Sequence, residues 1–66
     1  MGAHEVLANE YQAKGGWMGQ KEAKSAMGMV DALHGSGTGA RVHADLVSTG
    51  VIRKQRARST TYHWNG

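Results

Sequence analysis

The chain has 66 residues, no cysteine and a formal net charge of +3, which limits it to one domain with a thin core, because folding at this size hides only about 60% of the unfolded chain's surface. Disulfides, thiolate metal ligands and cysteine nucleophiles are excluded, and a cleft deep enough to bury a substrate would use up most of the core, so an enzyme is not expected. No apolar run approaches the ~20 residues needed to cross a bilayer, and the lack of cysteine fits a cytoplasmic setting.

The first residues, Met1-Gly2-Ala3-His4-Glu5, have no basic segment followed by an apolar stretch, so no signal peptide is expected. Met1-Gly2 would suit myristoylation, but Val6 stands where Ser or Thr is wanted. Glycines at 15–16, 35–39 and 50 then cut the chain into four pieces. In the first, Ala3, Val6, Leu7 and Tyr11 recur at helical spacing, predicting a helix over 3–14 that ends at Gly15-Gly16. Trp17-Met18 follows and is expected to fold back on the core.

The second piece predicts a helix over 20–33, with Ala23, Ala26, Met27, Val30 and Leu33 along one buried stripe. Gly28 interrupts it at a cost of roughly 1 kcal/mol relative to Ala, which a close helix–helix approach would explain. The third piece predicts a helix over 38–48, capped by the Thr38 hydroxyl, with Val42 and Leu46 inward and Val47 at the margin. In the fourth, Val51–Gln55 and Ser59–Trp64 are strand-like runs joined by Arg56-Ala57-Arg58, predicting a hairpin over 51–64. Alternation sets Thr60, Tyr62 and Trp64 on one face, where they either cover Ile52 and the helices or stack on bases.

Charge is unevenly spread. Residues 1–50 hold Lys14, Lys21, Lys24 and Arg41 against Glu5, Glu10, Glu22, Asp31 and Asp45, whereas residues 51–66 hold Arg53, Lys54, Arg56 and Arg58 with no acid. A near-neutral body with one cationic end suggests a polyanionic partner; a solvated tail is the plain alternative. Other chemistry is absent from the spacing. Gly35-x-Gly37-x-Gly39 follows no strand and lacks the Lys-Ser/Thr of a phosphate loop. His4, His34, His43 and His63 lack the i, i+4 spacing of a helical metal pair. No catalytic set, metal or cofactor is expected.

Three helices followed by Leu46-x-x-x-Gly50-Val51-Ile52-Arg53 and a basic hairpin ending Tyr62-His63-Trp64 resemble the winged helix-turn-helix family, including bacterial regulators of the ArsR and MarR kind. The resemblance spans residues 20–64 and implies an α+β fold of three helices and a two-stranded wing. It also implies double-stranded DNA as the partner, with the third helix in the major groove. The contacts it implies are Ser36, Thr38, Arg41 and His43 from that helix and its approach, with His43 either a contact or a pH-sensitive residue, and Arg53, Lys54, Arg56 and Arg58 from the wing. Arg41 is the helix residue able to make a bidentate contact with guanine, unless it pairs with Asp45 one turn on. Ser36, Thr38 and the free N–H groups at the helix start suit phosphate. In the wing, Arg53 and Lys54 must face opposite sides, and Arg56 and Arg58 either reach phosphate or serve solubility and edge protection. So small a footprint calls for self-association, as a homodimer, or for neighbouring sites. The alternative is a protein-interaction module, of the kind phages or mobile elements encode, acting on a host nucleoprotein machine through the same surface.

Overall fold

Glycine and helical periodicity do partition the chain as the sequence implies, and tertiary packing adds one strand. The computed structural model describes residues 2–54 and 60–65. In chain order these form α1 (Ala3–Ala13), β1 (Trp17–Met18), α2 (Gln20–His34), α3 (Thr38–Ser48), β2 (Ile52–Lys54) and β3 (Tyr62–Trp64). The fold is a small α+β arrangement of three helices on a three-stranded antiparallel sheet, in the order β1-β3-β2. The expected two-stranded hairpin is therefore corrected. Trp17 and Met18 pair with His63 and Tyr62, so β3 is the central strand. A two-residue strand carries too little alternation to be seen as a period.

The chain reaches β1 because α1 stops sharply. Gly15 and Gly16 adopt φ of +73° and +88°, a region that disfavours side chains, and the Gly16 N–H returns to the Tyr11 carbonyl at 2.7 Å. The Gly16 carbonyl then accepts from the Trp64 N–H at 2.8 Å, extending the β1–β3 pairing.

The core lies between the helices and one face of the sheet. Val6, Leu7 and Tyr11 of α1, Ala23, Ala26 and Val30 of α2, Val42 and Leu46 of α3, and Met18 and Ile52 of the sheet are buried. Removing each large side chain from water contributes about 1.5–3 kcal/mol. Tyr62 and Trp64 pack half-buried against this cluster, with the Trp64 ring 5.6 Å from Tyr11, so they cover the core. Trp17 does not fold back as expected; alternation sends Met18 inward and leaves Trp17 45% exposed. Leu33 is likewise 63% exposed. At about 100° per residue it lies about 80° round from Ala23, at the rim of the stripe and in the last turn.

The close helix approach exists, but not at Gly28. An added Cβ at Gly28 would meet nothing within 4 Å. At Gly39, on the buried side of α3, it would lie 2.7 Å from the Met27 Cα and overlap the Met27 carbonyl oxygen. Gly28→Ala is therefore expected to stabilise the fold by about 0.5–1 kcal/mol, seen as a higher urea midpoint. A lowered midpoint would mean that Gly28 has a packing role after all.

Candidate nucleic-acid interface

α3 follows α2 after a short turn, and its packing sets its outward face. Gly39, Val42, His43 and Leu46 point into the core, so Ala40, Arg41, Ala44, Asp45, Val47 and Ser48 face water. Arg41 stands in the first turns of that face. The pair with Asp45 does not form: the Asp45 Oδ2 lies 3.2 Å from the His4 Nε2 instead, linking α3 to α1. Both partners are mostly exposed, so the contact is worth little. Its consequence is that Arg41 has no ion-pair partner among the described residues.

The start of α3 is built differently from expectation. Thr38 is the first helical residue rather than the cap, and its hydroxyl donates to the His34 carbonyl at 3.3 Å. The cap comes from α2. Asp31 Oδ1 accepts from the Gly39 N–H at 2.6 Å, while the Thr38 N–H bonds to the Gly35 carbonyl at 3.2 Å. Those two donors are therefore not free for a phosphate, and the Asp31 carboxylate opposes an anion there. Ser36, in the turn before α3, is exposed and remains open to solvent.

His43, expected among the contacts of α3, is buried instead. It is 6% exposed, and its Nε2 lies 2.8 Å from the Tyr11 hydroxyl. Its ring meets Tyr62 edge-on at 4.8 Å. Burial pushes its pKa below the ordinary value and keeps the ring neutral. It is a core residue joining α1, α3 and β3, and it presents nothing to a groove.

The sheet divides the next two cations as alternation requires. Arg53 lies on the outer face, its Nε donating to the Gly50 carbonyl at 3.3 Å. Lys54 shares the face of Ile52 and reaches over the Tyr62 ring, its Nζ 5.8 Å from the centroid. Arg56 and Arg58 lie outside the described residues. The arrangement thus keeps Ser36, Thr38 and Arg41 together along the start of α3, separates Arg53 from Lys54, and removes His43.

Two residues of the arrangement escaped the sequence reading. Asp31 sits off the apolar stripe, so only a cap donated from a neighbouring helix gives it a role. Trp17 lies in a two-residue strand, too short for any period to reveal. No group of three or more His, Asp or Glu side chains that could hold a metal ion occurs among the described residues, and no described helix is long and apolar enough to cross a membrane. No family model, curated protein or solved structure matches the chain.

Proposed function

We propose that the chain is a winged helix-turn-helix module that binds double-stranded DNA, with α3 as the recognition helix and β2–β3 as the root of a basic wing. The observation that carries this reading is Arg41: exposed near the start of α3, the helix that follows α2 after a short turn, with no acidic partner among the described residues. An unpaired guanidinium there is free to take a guanine edge or a phosphate. Two further features support it. In chain order β2 and β3 follow α3, the succession that a wing beside the groove requires. The last sixteen residues carry four cations and no acid, which suits a polyanion through counterion release. The reading gives the chain no catalytic step and no cofactor, and it sets the protein in the cytoplasm beside its DNA.

The test is a salt titration of binding to a 20-bp duplex. Wild-type affinity is expected to fall steeply as salt rises. Arg41→Ala should lose about 1–3 kcal/mol if Arg41 reads a base. Arg56→Ala with Arg58→Ala should weaken binding on all sequences and reduce the salt slope by about two. Absence of duplex binding at low salt, or full affinity in both variants, would defeat the proposal.

A protein-interaction module is the second reading, favoured by the exposure of Met29 and Leu33 on α2, at 44% and 63%, and of Val47 on α3. One stoichiometric protein partner retained after nuclease treatment, and lost on Leu33→Gln, would support it.

A further inference from the structure

One face of the sheet takes no part in the core. Register sets Trp17 beside His63, and His63 beside Arg53. Trp17, His63 and Arg53 therefore project from one row across β1, β3 and β2, on the side away from Met18 and Ile52, with the Arg53 guanidinium folded back toward Gly50. The Trp17 and His63 rings lie 4.2 Å apart, tilted by 34°. Trp17 still leaves 45% of its surface in water. Arg53, at the far end of the row, bonds to the Gly50 carbonyl and has no ion pair among the described residues. Gly16 adds no side chain beside the imidazole, where a Cβ would come 3.9 Å from His63 Nε2.

We propose that Trp17, His63 and Arg53 form a stacking shelf for an unpaired base of a nucleic-acid strand. The exposed indole offers a broad π face of the kind on which bases stack without regard to sequence. The imidazole braces it from the neighbouring strand. Arg53 supplies positive charge where the phosphate beside a stacked base would run, and no acid on the row opposes it. Core packing accounts for Tyr62 and Trp64 on the other face, but leaves Trp17 half in water on an edge strand. An apolar protein partner would also cover an exposed indole, but Arg53, opposite His63 on the next strand, favours an anionic ligand. The proposal rests on the nucleic-acid reading above and adds a single-strand contact that duplex docking through α3 does not use.

Binding of the full chain to single-stranded (dT)10 and to a 20-bp duplex, followed by tryptophan fluorescence, tests it. The wild type should bind (dT)10 with quenching of its emission. Trp17→Ala should weaken (dT)10 binding by about 5- to 150-fold, the range for losing one base–aromatic stack, and leave duplex affinity within about twofold. Trp17→Phe should retain much of the (dT)10 affinity while losing the quenching. Helical circular dichroism and the melting midpoint confirm that each variant is folded; should Trp17→Ala fail to fold, Trp17→Phe decides. Quenching that survives Trp17→Phe undiminished would come from Trp64 and overturn the shelf, as would unchanged (dT)10 binding in a folded Trp17→Ala. Duplex binding without (dT)10 binding overturns the shelf and leaves the duplex reading intact. The reverse result overturns the duplex reading and leaves the shelf.

Discussion

Gly39→Ala is expected to unfold the chain or leave it with only residual helix at 25 °C. A methyl group at residue 39 would lie 2.7 Å from both the Met27 Cα and its carbonyl carbon. Those atoms belong to the backbone of α2 and cannot rotate aside like a side chain, so the two helices must separate. α2 packs on α3 more extensively than on α1, and both helices feed the core, α2 through Ala26 and Val30 and α3 through Val42 and Leu46. Overpacking against yielding side chains costs about 1–3 kcal/mol; against rigid backbone the cost should exceed about 3 kcal/mol. A chain of this size holds only about 3–10 kcal/mol in total, at 0.05–0.15 kcal/mol per residue. The shift would also pull the Gly39 N–H from Asp31, uncapping α3. Urea unfolding followed by circular dichroism reads the result, with Gly28→Ala as the control of opposite sign. A Gly39→Ala protein melting within a few degrees of the wild type would disprove the close approach.

The second large effect is expected at the buried Tyr11–His43 contact. Tyr11 is fully buried, and burial first, then the neighbouring Tyr62, raises its pKa above the ordinary phenol value. The phenol therefore keeps its proton and can donate it to the neutral imidazole. Tyr11→Phe deletes the hydroxyl and leaves a buried ring nitrogen unsatisfied, at about 1–3 kcal/mol. For a domain of this size, each kcal/mol lowers the melting midpoint by about 4–8 °C.

The same contact makes stability pH-dependent. The folded pKa of His43 is depressed below 6.5. Above that value both folded and unfolded chains hold the ring neutral, and the full stability is present. As pH falls below 6.5 the unfolded chain takes up a proton that the folded chain resists, so stability is lost toward acid. The groups facing the ring, the Tyr11 hydroxyl from α1 and the Tyr62 ring from β3, include no carboxylate to offset the added charge. The urea midpoint should fall between pH 7.5 and 5.5, and fall less in His43→Gln. Equal pH slopes in the two proteins would remove His43 as the cause.

The three helices were legible because each apolar stripe is several turns long and is bounded by glycine. Their observed limits differ from the expected ones by no more than a residue. The strand character of the last segment was legible from its β-branched and aromatic residues, and so was the division of Arg53 from Lys54. The third strand was not. Met18 and Trp17 become a strand only because β3 runs beside them, and the order of residues along a chain does not encode which edge a short segment will meet. The candidate site was legible only in part for a related reason: Arg41 and His43 are two residues apart on one helix, yet one faces water and the other the core.

Composition and periodicity alone determined that this chain forms three amphipathic helices, a β-rich end and a cationic terminus, since local propensity and burial of an apolar stripe act over neighbouring residues. Tertiary structure alone decided that Asp31 caps α3, that Gly39 and not Gly28 is the contact point between helices, that His43 is a core residue, and that Trp17 stands beside His63 with Arg53 on the strand beyond. Each of those outcomes depends on an approach between distant segments, where distances of a few ångströms select which side chain is enclosed and which is left in water.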